Sequence, residues 1–164
     1  MRKLVFISIV IAAFCSLAFG QIKYDNYTND RFFFAIDYPS DLLKMQPPPE
    51  NEDGRTFLSG DGQVEIRVWG QYNALSESLR QRYLTTLKGF DTKPSYVILE
   101  GSSFVISGVK EKKIVYIKTM YRKDRDTDIF YTLTIEYPSI RRKEFDPIVT
   151  RIANSFKIVP GADI

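Results

Sequence analysis

Residues 95–122 read SYVILEGSSFVISGVKEKKIVYIKTMYR and contain three runs rich in aromatic and β-branched residues. The runs are residues 95–100, 103–109 and 113–122. Their polarity alternates, as it does in half-buried strands. The pair Gly101-Ser102 supplies a hairpin turn, since glycine reaches positive φ without steric cost. Strands joined by such short turns run antiparallel, so this stretch predicts an antiparallel sheet.

The same composition recurs on both sides of this stretch. It predicts further strands at residues 22–28, 31–38, 55–59, 63–70 and 129–137. Together these runs indicate an α+β fold, in which an antiparallel sheet of about seven to eight strands is flanked by two helices.

Two segments have helical spacing. In the first, apolar residues recur every four positions, with Asn73 or Ser76 as candidate N-caps. These apolar residues are Leu75, Leu79, Tyr83 and Leu87. In the second, an apolar stripe follows a start signalled by Ser139, and Pro147 either kinks the helix or marks its first position. This stripe consists of Phe145, Ile148, Val149, Ile152 and Phe156.

The first twenty residues have the three parts of a secretory signal peptide. Arg2 and Lys3 form a basic start, an apolar run extends to Phe19, and Ala18-Phe19-Gly20 is a small-x-small cleavage site. We therefore predict a signal peptide at residues 1–20, a single domain at residues 21–164, and a secreted or periplasmic protein without a transmembrane span after cleavage. The alternative is that the apolar run is retained as a membrane anchor.

Composition excludes several kinds of chemistry. The chain has no histidine, and its one cysteine, Cys15, lies in the signal peptide. Histidine-dependent serine or cysteine hydrolysis and the usual structural zinc sites are therefore excluded, and the sequence favours a non-enzymatic protein without a cofactor. Without Arg2 and Lys3, Lys and Arg number 21 against 20 Asp and Glu, so no nucleic-acid partner is expected.

The loop from Pro47 to Arg55 combines three prolines with a dense set of charges. Its candidate binding residues are Glu50, Glu52, Asp53 and Arg55. Carboxylates at this density can bind Ca²⁺, or Glu50 and Glu52 can act as an acid/base pair if they point into a cleft. The alternative is an exposed acidic loop with a turn at Asp53-Gly54.

The predicted strand at residues 63–70 carries a second candidate surface. Glu65, Arg67 and Trp69 share one face of this strand because side chains alternate along it. Arginine and tryptophan together are typical of protein-binding hot spots. The alternative is that a helix covers this face and buries Trp69.

A third candidate is a set of alternating aspartates, Asp124, Asp126 and Asp128, which matches the start of a calcium-binding loop. The match ends there, because Ile129 and Ile135 occupy the positions of the loop's glycine and its bidentate glutamate. The alternative is a solvated hairpin tip.

Several segments together resemble a group of uncharacterised exported bacterial proteins. These are residues 34–39, the loop from Pro47 to Phe57, Val68-Trp69-Gly70, and the closing segment from Phe145 to Phe156. That group is distantly similar to the PsbP-type fold, an antiparallel sheet flanked by helices whose best-known members dock on a larger membrane complex. The resemblance implies an α+β sandwich and an accessory or binding role, and it supplies no catalytic residues.

The leading functional hypothesis is therefore an exported, non-enzymatic binding or accessory module of the cell envelope, whose partner is a protein or envelope component. One alternative is a carboxylate-dependent hydrolase acting on envelope glycan through Glu50, Glu52 or Asp53. Another is a calcium-dependent surface adhesion protein that uses the three aspartates.

Overall fold

The computed structural model describes residues 22–123 and 127–160, which form two antiparallel sheets and two α-helices. The strands are β1 (Tyr24–Asn29), β2 (Phe34–Pro39), β3 (Leu43–Met45), β4 (Gly54–Ser59), β5 (Glu65–Tyr72), β6 (Tyr96–Glu100), β7 (Ser103–Lys110), β8 (Lys113–Arg122), β9 (Ile129–Pro138) and β10 (Lys157–Ile158). The helices are α1 (Leu79–Lys88) and α2 (Arg142–Ser155). The predicted α+β class is confirmed. The predicted signal peptide lies outside the described residues.

The strands divide into a large and a small sheet. The seven-stranded sheet has the order β3-β4-β5-β9-β8-β7-β6, and the three-stranded sheet has the order β1-β2-β10. The antiparallel meander expected at residues 95–122 forms β6, β7 and β8. The sequence does not indicate β3 and β10, which span three and two residues and are too short to show alternation. It also predicted one sheet where there are two.

The main core lies between one face of the large sheet and a layer formed by the small sheet and α2. Alternate β9 residues, Tyr131, Leu133 and Ile135, point into it and are fully buried. Phe34 of β2 meets the Tyr131 ring edge to face, with centroids 6.1 Å apart. Burying one large apolar side chain stabilises the fold by about 1.5–3 kcal/mol. Because the large apolar residues of β9 alternate, the face that carries them packs against the core.

The opposite face of the large sheet is covered by α1 at one end. Tyr83 packs edge to face on Phe104 of β7, with centroids 5.6 Å apart. The Arg82 guanidinium lies 4.6 Å from the ring centroid of Phe130 in β9. Further along the same face, Arg67 of β5 has a side chain that is 50% exposed. The far end of this face therefore remains open to solvent.

Helix α1 starts later than predicted, because its N-cap is Ser78. The Ser78 Oγ accepts a hydrogen bond from the Gln81 N–H at 3.2 Å, and the Gln81 Oε1 accepts one from the Ser78 N–H at 2.7 Å. This reciprocal pair is a capping box and satisfies backbone donors at the helix start.

The predicted caps Asn73 and Ser76 are wrong for a backbone reason. Ser76 has a φ of 51°, which differs from the extended backbone of an N-cap and stops a helix that starts at Asn73 from continuing through it. Asn73 instead bridges its own loop, with Oδ1 accepting from the Glu77 N–H and Nδ2 donating to the Glu77 carbonyl. Leu75 therefore lies outside the helix and is 82% exposed.

Helix α2 has the predicted apolar stripe. Phe145, Ile148 and Ile152 are buried against the sheets. A 3-10 turn at Ser139–Arg141 precedes the helix, and Pro147 lies inside it rather than at its first position. Helices α1 and α2, with 10 and 14 residues, are both shorter than the apolar helix that a bilayer span requires.

Candidate functional site

A gap opens along the edge of β4 because β3 is short. Strand β3 pairs only with the second half of β4, from Met45↔Phe57 to Leu43↔Ser59. One further hydrogen bond joins the Gln46 N–H to the Thr56 carbonyl at 2.8 Å. Residues 47–49 are then all proline, which has no N–H and cannot extend the ladder. The first half of β4 therefore pairs with β5 on one side and has no strand on the β3 side.

This gap is a cavity of about 530 Å³, here called the Trp69 pocket. Its lining combines the proline segment, the uncovered half of β4 and the middle of β5. The lining residues are Gln46, Pro47, Pro48, Pro49, Asp53, Gly54, Arg55, Thr56, Arg67, Val68 and Trp69. The two surfaces that the sequence suggested separately, the acidic loop and the tryptophan strand, therefore meet in one pocket.

The register of β4 and β5 brings these two surfaces together. Gly54 pairs with Trp69, and Thr56 pairs with Arg67. The strands approach so closely at the first pair that a Cβ on Gly54 would lie 2.0 Å from the Val68 carbonyl oxygen and 2.7 Å from the Trp69 Cα. Only glycine fits at this position, so the contact that forms the pocket wall depends on its missing side chain.

The proline wall is tied to the turn after β1. Asn29 is 4% exposed, and its Nδ2 donates to the Glu52 carbonyl at 2.9 Å and to the Tyr27 hydroxyl at 3.0 Å. The Arg31 Nη1 donates to the Asn51 carbonyl. These bonds hold the loop in place, because a buried amide that loses its partners costs about 1–3 kcal/mol. Asn29 and Arg31 belong to no sequence motif, so their contacts with the loop could not be predicted from the sequence.

The Arg67 side chain is held by two acidic partners. Its Nε lies 2.7 Å from the Glu65 Oε1, and its Nη2 lies 3.5 Å from the Glu136 Oε1. Glu65 does not line the Trp69 pocket. Glu65 therefore lies beside the pocket rather than in it. There it orients the Arg67 side chain and offsets the Arg67 charge.

Arg55 differs from Arg67 in having no acidic partner among the described residues. Its Nε and Nη1 are buried and make no hydrogen bond within residues 22–123 and 127–160. Its guanidinium carbon lies 5.3 Å from the centroid of the Tyr27 ring, which is a cation–π contact. Because Arg55 pairs with Val68, its side chain lies on the core face of the sheet, whereas Trp69 and Arg67 lie on the opposite face.

The remaining loop carboxylates are not gathered in the pocket. Glu50 and Glu52 are exposed and do not line it, and Asp53 is half-buried at its edge. The Asp53 Oδ2 accepts a hydrogen bond from the Asn51 Nδ2 at 2.8 Å. The pocket therefore holds one carboxylate, which gives the hydrolase hypothesis no acid/base pair in this cavity.

Trp69 fits neither of the two alternatives fully. The residue is half-buried, and it lines one cavity with the three prolines and Gly54. An indole in this state has an apolar face available for contact.

The aspartate set is described only in part, because Asp124 and Asp126 lie outside the described residues. Asp128 precedes β9 and accepts a hydrogen bond from the Tyr121 hydroxyl through its Oδ2. This bond raises the pKa of Tyr121 above its usual value. Within the part of the chain that the structure describes, no group of three or more acidic, Cys or His side chains is placed to hold a metal ion.

Comparison with solved structures shows which fold surrounds this pocket. Cyanobacterial PsbP (CyanoP) from Synechocystis sp. PCC 6803 matches with a TM-score of 0.56 and 11% identity, over 85% of this chain and 95% of that chain. The fold is PsbP-like. The Saccharomyces cerevisiae Ran-binding protein Mog1p is similar to this PsbP-like chain with a TM-score of 0.52 and 11% identity, over 85% of this chain and 97% of that one.

No protein-family model matches the chain, and no curated protein is significantly similar to it in sequence. The resemblance to the PsbP-type fold is confirmed at the level of architecture. The PsbP-like scaffold presents the Trp69 pocket at the β4 edge of its large sheet.

Proposed function

We propose that this protein is an exported, non-enzymatic binding module of the cell envelope, and that the Trp69 pocket holds a segment of its partner. One observation carries the proposal: Trp69, Arg67 and three prolines line a single cavity of about 530 Å³. Cavities of about 300–1,000 Å³ with mostly apolar walls and a few polar groups are typical of ligand sites.

The composition of the pocket supports a macromolecular partner. Tryptophan and arginine are enriched among the residues that carry most of the binding energy in protein interfaces. Proline rings add a stiff apolar wall that loses little conformational entropy when a partner binds. Anchoring through Asn29 keeps this wall in place before binding. The site is therefore preformed rather than assembled by the partner.

The structural neighbours support the same class of role by analogy. Mog1p is a Ran-binding protein, so one protein with this architecture has a protein partner. Proteins that share a fold often differ in function, so the proposal depends first on the pocket. Export is supported by the signal-peptide pattern of residues 1–20.

Site-directed photo-crosslinking in the native cell envelope tests the proposal. A photoreactive residue at Gln46, which lines the pocket, is compared with one at Lys88, which is exposed at the end of α1. We expect one dominant product from position 46 that is absent from position 88 and that is weakened by Trp69→Ala. Identical products at both positions, or no specific product at position 46, would overturn the proposal.

The same preparation tests export. Sequencing the N-terminus of the protein recovered from the envelope fraction should give Gln21 as the first residue. Recovery of the protein only in the cytoplasm, with Met1 or Arg2 as its first residue, would contradict export. The crosslinks would still decide separately whether the pocket binds a partner.

A further inference from the structure

The backbone hydrogen bonds of β4 alternate between its two neighbours. The Gly70 N–H of β5 donates to the carbonyl of Asp53, just before β4, at 2.9 Å. On the other side, the Gln46 N–H donates to the Thr56 carbonyl at 2.8 Å. Since backbone groups of an antiparallel strand alternate in direction, odd-numbered residues of β4 bond toward β5 and even-numbered residues point to the β3 side.

Gly54 is left with an unpaired backbone N–H and carbonyl. By this alternation both groups point to the β3 side, where the pairing with β3 has already ended. No hydrogen bond joins either group to another residue within the described ranges 22–123 and 127–160. Gly54 is also buried and lines the Trp69 pocket. A buried donor and acceptor without partners are unfavourable, so a ligand that pairs with both gains affinity.

This gap differs from the open edge of the sheet at β6. All five residues of β6 are exposed, so water can satisfy their unpaired backbone groups. The gap beside Gly54 is lined by Pro47, Pro48 and Pro49, which have no N–H to donate to the Gly54 carbonyl. Because the gap offers a single residue for pairing, it admits a short segment and not the long edge of another sheet.

We infer that the partner segment in the Trp69 pocket is an extended polypeptide that pairs with Gly54 as an added antiparallel strand. In an antiparallel pair, one residue exchanges both hydrogen bonds with the residue opposite, so a single partner residue fills both Gly54 groups. Adding a strand to a sheet edge is a recurring mode of peptide recognition. The inference rests on the proposed function and specifies how the partner is bound.

The pairing of Gly54 also indicates which side chain the partner residue carries. Directly paired residues project to the same face of a sheet, and Gly54 pairs with Trp69. A partner residue opposite Gly54 therefore projects to the Trp69 face, two strand spacings or about 9–10 Å from Trp69. Gly54 places no side chain between them. A large apolar side chain thus covers the glycine and contacts the half-buried indole.

A capped tripeptide tests the backbone pairing. The probe is N-acetyl-Thr-Phe-Thr-amide, and its analogue has an ester oxygen in place of the phenylalanine N–H, which removes the donor to Gly54 without adding bulk. The control has the ester at the first threonine, whose N–H points away from β4 in this pairing. We expect the phenylalanine ester to bind about tenfold more weakly than the parent, because it leaves a buried carbonyl unpaired, and the control to bind within about twofold.

The Gly54 amide reports the pairing directly. In nuclear magnetic resonance spectra of the isotope-labelled protein, its amide proton should move downfield on binding, because a hydrogen bond deshields the proton. The Trp69 indole signal should change over the same range of peptide concentration. Gly60, which is exposed in the turn after β4, is the matched control, and its amide proton should keep its position.

Variants of the probe and of the protein test the side-chain contact. A probe with alanine in place of phenylalanine should bind about fivefold to tenfold more weakly, because it buries less apolar area. Trp69→Ala should remove this preference and leave the ester effect, and Trp69→Leu should remove part of it if Trp69→Ala fails to fold. Tyr72→Ala changes an exposed aromatic residue of β5 outside the pocket and should leave both effects intact.

Each outcome has a distinct meaning. Equal losses from the two esters would refute strand addition at Gly54. A probe that changes the Trp69 indole signal and leaves the Gly54 amide in place would show that the pocket binds side chains without pairing to β4, which overturns the inference. No change at either residue at millimolar peptide would overturn it as well. Crosslinking from position 46 decides separately whether the pocket binds a partner, so the proposed function can hold while strand addition fails.

Discussion

Replacing Arg55 with methionine should stabilise the protein. The structure places two of the guanidinium nitrogens, Nε and Nη1, in buried positions without hydrogen bonds to described residues. Methionine keeps the unbranched stem of the side chain and removes both the charge and these donors. The change therefore separates the energetic effect of the charge from that of the packing.

The size of the effect follows from two opposing contributions. A buried donor without a partner costs about 1–3 kcal/mol, and the lower figure suits each nitrogen here because Arg55 is only half-buried. The cation–π contact with Tyr27, at 5.3 Å, is lost and opposes this gain by about 1 kcal/mol. The free energy of unfolding should rise by about 1 kcal/mol, which corresponds to about 2–4 °C in melting temperature for a domain of this size.

Urea unfolding followed by circular dichroism measures this difference, with Arg67→Met as the control. The Arg67 side chain is 50% exposed and lies beside Glu65 and Glu136, so its loss should change stability by less than about 1 kcal/mol in the unfavourable direction. If Arg55→Met instead loses about 1 kcal/mol or more, the Arg55 side chain stabilises the fold, and the reasoning that its buried, unpaired nitrogens cost stability is wrong.

Other predictions concern the pocket wall, a helix cap and an ion pair. Gly54→Ala should lower the free energy of unfolding by about 1–3 kcal/mol or more in urea, because its Cβ would lie 2.0 Å from the Val68 carbonyl oxygen. Ser78→Ala removes the capping box of α1 and should cost about 1 kcal/mol by thermal unfolding, whereas an unchanged melting temperature would contradict the role of the cap. The hydrogen bond from Arg141 lowers the pKa of Glu144, so this pair stabilises the fold above the unfolded pKa of about 4.3 and loses its effect as pH falls through the lower folded pKa. Glu144→Gln should therefore be less stable than the parent near neutral pH and match it in acid, and a constant difference across pH would refute this assignment.

The strands that alternate over many residues could be predicted from the sequence, and those that depend on a partner could not. Strands β7 and β8 each contain eight or more residues, and their apolar positions identify them directly. Strand β3 is three residues long and is defined by its backbone pairing with β4 rather than by its own sequence pattern. The start of α1 was misplaced because Leu75 fits the apolar spacing, although the positive φ of Ser76 prevents the helix from reaching it.

The candidate site shows the same limit. Residue types alone indicated the loop at residues 47–55 and the strand that carries Trp69. Their meeting in one pocket depends on the pairing of Gly54 with Trp69, which is a matter of register and cannot be read from either segment alone. The role of Asn29 depends on a contact across 23 residues of chain, and an asparagine before a turn gives no signal of such a contact.

The three prolines that line the pocket also affect aggregation. They make the β3 edge of the seven-stranded sheet less able than the β6 edge to pair with another molecule. At the β3 end, the edge strand has only three residues and is followed by three prolines, which have no N–H groups to donate to a strand from another molecule. At the other end, β6 presents Tyr96, Val97, Ile98 and Leu99, which are 36–50% exposed. We expect self-association at high protein concentration to begin at β6, so that a charged residue placed there improves solubility without touching the binding site.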